Sequence, residues 1–282
     1  FIFEIRDLWP ELPYSMGIIK NKIIYYLLLI FELISYFSAD ICIGLSPGIC
    51  DGISSKGIKK SKIKLIPNSC DLEIFFPLKL DIKKNPKLIN KFFEEDDFII
   101  AFTGAHGLAN GLDAILDVAK VLKDQNFFKI KFLFIGDGKC KPGLINRKEQ
   151  EELDNCFFMD PISKVELASL LRESVHVGLM ILQNNKSFYR GTSPNKFFDY
   201  ISSGLPVINN YPGWLADLIN KYNMGIVVKP NDPIDFSKAL IKLYKNPLIV
   251  QEMSINSREI AERLFSRKVQ TEKLVRTFYE LY

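Results

Sequence analysis

Gly191-Thr192-Ser193-Pro194-Asn195-Lys196-Phe197-Phe198-Asp199-Tyr200-Ile201-Ser202-Ser203-Gly204-Leu205-Pro206 reads as a loop entering a helix shaped to hold a phosphorylated ligand. Ser193 before Pro194 predicts a helix start, because a serine hydroxyl accepts from free backbone N–H groups and proline is preset for the first helical position. The exposed N–H groups and the positive end of the helix dipole attract phosphate there. Lys196 adds a mobile cation, and Asp199, three residues on, shares its side of the helix. A cation for phosphate and a carboxylate for hydroxyls on one face suit a nucleotide sugar. Gly204 then ends the helix and Leu205-Pro206-Val207-Ile208 opens a buried strand. An ordinary capped helix of an α/β sheet would explain the segment without any ligand.

Outward from this stretch, short β-rich runs alternate with helical periodicity from Phe98 onward, the pattern of a parallel sheet covered on both faces. Strands are predicted at 98–102, 130–135, 156–159, 177–182, 207–209 and 226–228. Leu112, Ile115, Leu116, Ala119 and Leu122 recur at helical spacing. Ser163 and Glu166 stand in capping-box spacing, and helices are predicted at 214–222 and 233–244. Before Phe98 the alternation is shorter, with strands near 1–5, 41–45 and 63–66. The fold class is therefore α/β, with two Rossmann-like doubly wound parallel-sheet domains, the first one incomplete. Three strands leave apolar sheet uncovered, so the natural chain is expected to continue upstream. The expected limits are 1–80 for the first domain, 81–96 for a linker rich in lysine, proline and asparagine, and 97–246 for the second. Helices over 247–282 are placed to pack back on the first.

The 282 residues, 48% hydrophobic and 25% charged, describe a soluble globular chain long enough for two cores. Its +4 charge comes from 37 basic and 33 acidic residues spread along the chain, so nothing suggests a nucleic-acid footprint. Cys42, Cys50, Cys70, Cys140 and Cys156 have no CxxC spacing and read as reduced thiols of a cytoplasmic protein. With His106 and His176 alone, a histidine-rich metal site is excluded, and no paired-aspartate motif follows a strand. Metal-free chemistry with no resident cofactor is expected. Residues 23–31 are continuously apolar or aromatic between Lys20, Lys22 and Glu32, too short for a membrane span. They read either as a helix buried against a sheet or as a helix lying on a membrane surface.

Ligands of doubly wound sheets bind outside the carboxyl ends of the strands. Three loops leave such ends here: Gly104-Ala105-His106-Gly107, Gly136-Asp137-Gly138, and residues 183–193. Glycines let backbone N–H groups approach a diphosphate, His106 is a candidate donor to a phosphate or sugar oxygen, and Asp137 is a candidate turn cap. Neither loop has the GxGxxG spacing or a GK[ST] ending, and Lys141 stands where a third glycine would belong, which argues against NAD and ATP. His176, opening a strand, reads as structural. Arg6 and Asp7, just after the first strand, read either as site residues or as a structural pair. Ser46-Pro47-Gly48 is either a phosphate-sized turn or a plain helix start, and the acidic run 94–97 reads as a solvated turn.

Several motifs together resemble bacterial family 4 glycosyltransferases of the GT-B fold, of the type that assembles O-antigen and capsule sugars. They are Glu4-Ile5-Arg6-Asp7-Leu8-Trp9-Pro10-Glu11, Leu45-Ser46-Pro47-Gly48, Ile66-Pro67-Asn68 through Asp71-Leu72-Glu73-Ile74-Phe75, Gly136-Asp137-Gly138, and Ser193 through Pro206. The resemblance implies a retaining enzyme, with a nucleotide-sugar donor, expected to be a UDP-sugar, held by the second domain and an acceptor by the first. A hexosyltransferase moving an N-acetylated hexose to a lipid-linked or polysaccharide acceptor at the inner face of the cytoplasmic membrane is the narrower expectation. Family members place two acidic residues eight positions apart around the donor loop. Asp199 occupies the later position, which holds ribose hydroxyls, whereas Gly191 occupies the earlier one. Where many members carry basic residues for the diphosphate, this chain has His106 and Asn110, with Lys196 and Arg190 as substitutes. The resulting assignment gives His106, Lys196 and Asp199 catalytic roles. Donor contacts fall to Gly104, Ala105, Gly107, Asn110, Gly136, Asp137, Gly138, Arg190, Thr192, Ser193, Pro194 and Asn195, and acceptor-side contacts to Arg6 and Asp7. The alternatives are a non-catalytic or degenerate nucleotide-sugar-binding chain and a nucleotide-sugar epimerase of the same fold. With its upstream half-domain missing, the isolated chain is expected to be inactive.

Overall fold

The structure is a computed structural model that describes residues 1–77 and 93–281. Most of the expected linker over 81–96 therefore lies outside the described residues. Two compact units are formed: Phe1–Ser69 with Asn185–Pro194 and Arg267–Tyr282, and Cys70–Asn184 with Asn195–Ser266.

In the first unit, β1 (Ile2–Ile5), α1 (Glu11–Ser15), α2 (Lys22–Ser38), β2 (Ile41–Gly44), α3 (Pro47–Ser55) and β3 (Ile63–Leu65) follow in order. The three strands form a parallel sheet in the order β1-β2-β3. Parallel neighbours need crossovers, which α2 and α3 supply. Ile5, Tyr36, Cys42, Ile49 and Ile53 make one buried cluster, and Ile41, Ile43 and Ile66 a second on which Leu274 packs. Ser46 turns out to be a plain helix cap: its Oγ accepts from the Ile49 N–H at 3.2 Å, and Pro47 takes the first turn.

The second unit runs β4 (Phe98–Thr103), α4 (Asp113–Asp124), β5 (Ile130–Ile135), α5 (Lys141–Gln150), β6 (Cys156–Met159), α6 (Lys164–Ser174) and β7 (Val177–Met180). After α7 (Lys186–Gly191) of the first unit come α8 (Asn195–Ser202), β8 (Val207–Asn209), α9 (Trp214–Lys221), β9 (Gly225–Val227), α10 (Pro233–Lys245) and α11 (Pro247–Phe265). The last helix, α12 (Arg267–Tyr279), belongs to the first unit and carries Leu274. The six strands are all parallel, in the order β6-β5-β4-β7-β8-β9, so the chain reverses its direction across the sheet between β4 and β7. Every residue of β4 and β7 is buried, as central strands covered on both faces require. Ser163 and Glu166 complete the capping box that opens α6. Lys129 pairs with Glu94 and, at 2.7 Å, with Asp96, which makes the acidic run a salt-bridged turn before β4.

Candidate functional site

The crevice at the carboxyl ends of β4 and β7, where the strand order reverses, is where a doubly wound sheet holds a ligand. Helix α8 is pinned beside it by Tyr200. The buried Tyr200 hydroxyl accepts from the Thr103 N–H at 2.9 Å, lies 3.0 Å from Thr103 Oγ1 and donates to the Ala101 carbonyl at 3.3 Å. Its ring occupies the place of the side chain that Gly178 lacks, 2.5 Å from where a Cβ would stand. At the other end Gly204, at φ +68°, closes the helix, and the Arg258 guanidinium donates to the Ser202 carbonyl at 2.6 Å.

Beyond the strand ends the first two loops continue the sheet's hydrogen bonding. The Gly104 N–H donates to the Ile135 carbonyl (2.9 Å), that of His106 to Asp137 (2.8 Å), that of Gly136 to Met159 (3.1 Å) and that of Cys140 to His106 (2.9 Å). Gly136, at φ +144°, is required by this close approach, since a Cβ there would stand 2.0 Å from the Gly104 carbonyl oxygen. A Cβ on Gly138 would stand 2.7 Å from the His106 carbonyl oxygen. The glycines of the second loop thus serve packing between loops rather than an open approach to a ligand. Asp137 caps its own turn by accepting from the Gly138 N–H at 2.8 Å. Lys141, which stands in the place of a third glycine, donates to the Gly136 and Met159 carbonyls (2.9 and 3.1 Å) and to Asp160 (2.6 Å), tying the loop to the end of β6. A cleft of about 490 Å³ opens beside it, lined by Asp137, Gly138, Lys139 and Lys141 among others.

Lys196 reaches from the first turn of α8 to the first loop. Its Nζ donates to Asn110 Oδ1 at 3.2 Å and lies 3.8 Å from the centre of the Phe102 ring. Asn110 is held in turn by donating to the Ala105 carbonyl at 2.7 Å. The space left by Gly104 is taken by Lys196, whose Cε would lie 3.6 Å from a Cβ at 104. Among the described residues Lys196 has no ion-pair partner, and burial pushes its pKa down to about 7. Asp199, one turn further, answers to different neighbours: burial first, and then the Asp71 charge, push its pKa up to about 6 against the pull of Lys164. Lys164 and the buried Asp71 are paired at 3.0 Å. The sequence places Asp71 in a motif without giving it a role, and nothing in it singles out Lys164.

His106 needs correction. Its side chain is fully buried among Phe102, Phe134 and Phe158, with ring centres 6.0, 6.3 and 6.0 Å away, so the imidazole faces the core and not a ligand. Burial, followed by the Lys141 charge, pushes its pKa down to about 4, and neither ring nitrogen has a hydrogen-bond partner among the described residues. The apolar face of three phenylalanines has claimed the ring, while the backbone of the same residue joins the two loops. The expected Ser193 cap is also corrected: α8 begins at Asn195, and Ser193 Oγ is buried without a partner among the described residues. The expected loop over 183–193 is instead partly helical, because Asn185 Oδ1 accepts from the Ser187 N–H at 3.0 Å and opens α7. Gly191 ends that helix, Thr192 and Pro194 follow it, and the Arg190 side chain lies outside the described residues. In the first unit Arg6 is exposed and paired with Glu4 at 2.8 Å, and Asp7 is exposed beside it. Gly107 is open, with nothing within 4 Å of a Cβ built there. His176 serves the sheet, accepting from the Ile99 N–H at 3.0 Å. The structure thus brings together Gly104, Ala105, Asn110 and Lys196, and through the loop backbone Gly136, Asp137 and Gly138.

Comparison with known proteins bears on the family and the fold. Residues 84–260, more than half of the chain, match the family described as glycosyl transferases group 1. Among solved structures, Alr3699/HepE of Anabaena in complex with UDP and glucose superposes with a TM-score of 0.79 at 14% identity, covering 99% of this chain and 71% of that one. Sucrose-phosphate synthase from Thermosynechococcus elongatus gives 0.77 at 18% identity, over 99% and 67%. WaaG, a glycosyltransferase involved in lipopolysaccharide biosynthesis, gives 0.74 at 12% identity, over 96% and 73%. No curated protein matches the sequence.

Proposed function

Because this chain belongs to the glycosyl transferases group 1 family, we propose that it moves a sugar from a UDP-sugar to a lipid-linked or polysaccharide acceptor, retaining the anomeric configuration and using no metal ion. The observation that carries the reading is Lys196, an ammonium group with no carboxylate partner among the described residues, held against the first glycine loop at the reversal point of the sheet. A buried cation without a counter-ion is costly, and an anionic ligand is what offsets it. As the sugar–phosphate bond breaks, negative charge grows on the departing diphosphate while the sugar becomes oxocarbenium-like. Lys196 and the N–H groups at the start of α8 stand ready to stabilise that charge without reorganising, which is where preorganised donors gain most. Asp199 is the group for the ribose hydroxyls. The UDP and glucose bound to the Anabaena protein support a uridine donor, and the lipopolysaccharide role of WaaG supports an acceptor built on lipid. An N-acetylated hexose is the narrower choice of sugar.

Titration calorimetry with UDP tests the reading. Lys196→Ala is expected to weaken binding at least tenfold, by about 1.5–3 kcal/mol for a charge-assisted contact. Unchanged affinity sinks the assignment. One observation favours a binding protein without turnover, namely that no acidic residue occurs from Asn184 to Thr192, where the resemblance expects one to meet the donor sugar. Release of UDP from a UDP-sugar in the presence of acceptor, measured on the full natural chain, separates the two.

A further inference from the structure

Asp199 has two charged neighbours in its own unit that carry no role of their own. Residues 70–75 are laid against α8 and held at both ends. The Cys70 N–H donates to the Phe265 carbonyl at 2.6 Å and its thiol to the Phe198 carbonyl at 3.5 Å, while Arg258 donates to the carbonyls of Phe75 at 2.9 Å and Ser202 at 2.6 Å. This brings the buried Asp71 carboxylate near enough to Asp199 for the two to repel. Lys164, the first residue of α6, meets Asp71 at 3.0 Å and lies 5.4 Å from the centre of the Phe75 ring. Its charge also reaches Asp199, yet among the described residues its ion pair is with Asp71.

The other groups around Asp199 bring it no free charge. The Cys70 thiol, pushed up to about 12 by burial, stays protonated, and the Tyr200 hydroxyl is bonded to Thr103 and Ala101. Arg258 on α11 is taken by the two carbonyls and by Glu262, Lys196 is turned to Asn110, and β7 and β8 hold no charged residue. Asp71 is more than a turn residue: its Oδ1 accepts from the Ile74 N–H at only 3.4 Å, and a buried carboxylate is costly without its cation. A lysine free to close on Asp199 would cover oxygens that hydroxyls need. With no cation nearby, burial would favour the protonated acid, a weaker acceptor. Held by Asp71, the lysine pulls on Asp199 through space and leaves its oxygens open.

We propose that Asp71 and Lys164 are positioning residues for Asp199: Asp71 tethers the lysine, and the tethered lysine keeps the Asp199 carboxylate ionised and open to the ribose hydroxyls of the donor. The proposal rests on the ribose role of Asp199.

Titration calorimetry of the full natural chain across the range where Asp199 titrates, with UDP and with a dideoxyribose analogue of UDP lacking both ribose hydroxyls, tests it. The ratio of the two affinities isolates the hydroxyls, because the titrations of the diphosphate and of Lys196 are common to both ligands. The wild type is expected to favour UDP about tenfold when Asp199 is ionised. This preference should fall as pH drops through about 6 and the acid takes up its proton. Lys164→Met should move the midpoint up by about half a pH unit or more, and Asp71→Asn, which removes a like charge and frees the lysine, should move it down by about as much. Lys164→Arg should keep the wild-type profile. The two changes combined leave no buried charge behind and serve if a single change unfolds the chain; the midpoint then lies above the wild type, because the pull of Lys164 exceeds the push of Asp71. Midpoints that stay put or move the same way in the two single variants, or variants that weaken both ligands alike, overturn the proposal. If Asp199→Asn abolishes the preference while the charge variants leave its midpoint alone, the ribose role stands and the proposal falls. A wild type with no preference for UDP over the analogue removes both.

Discussion

Lys196 concentrates both the cost and the use of this site. Its ammonium is half-buried against Phe102 and Asn110, which lowers its pKa from 10.5 to about 7. Below about pH 7 the folded protein carries the full cost of this charge. As pH rises through that value the folded state releases a proton that the unfolded chain keeps until about 10.5, so this group's contribution to stability improves with pH. Lys196→Met is therefore expected to raise stability below about pH 7 by about 1–3 kcal/mol in urea denaturation, while abolishing UDP binding. Affinity for UDP should fall as pH rises above about 7 in titration calorimetry, and Lys196→Arg, charged throughout, should flatten that profile. Gly136 is governed by steric contact alone. Gly136→Ala drives a methyl onto the Gly104 carbonyl oxygen and is expected to cost about 3 kcal/mol or more, read as a lowered Tm.

At the level of elements, α8 works because its orientation is imposed from the sheet beneath it. Tyr200 ties it to Thr103 and Ala101 on β4, and Gly178 on β7 clears the space for the ring. Tyr200→Phe leaves the buried Thr103 N–H without its partner and should cost about 1–3 kcal/mol in chemical denaturation, with a weaker UDP complex as Lys196 loses its placement. The strands of this unit were legible in advance because β4, β5 and β8 are continuous β-branched and aromatic runs bounded by polar turns. The helical turns of α7 were not legible. Its residues 186–191 show no apolar period, and the helix depends on the Asn185 cap and on packing against α1 and α3, which only the folded chain supplies.

For the whole molecule, the glycine loops with Lys196 belong to one unit and helix α2 to the other. Hydrogen exchange with UDP present is expected to slow at residues 104–110 and 195–200 and to leave the α2 amides unchanged; protection confined to the first unit would contradict the placement. The α/β class, the alternation that makes both sheets parallel, and the presence of a cation near the glycine loops could be read along the chain, because periodicity and turn chemistry are local properties. It also marked residues 23–31 as apolar, but left open whether they are buried. Contacts made in the folded chain account for the remainder. Three phenylalanines from β4, β5 and β6 drew His106 inward, Lys141 turned from a missing glycine into the tie between two strand ends, and one face of α2 was left outside. Each of these outcomes depends on which distant side chains meet, since burial and charge are set by neighbours in space that no spacing along the chain records.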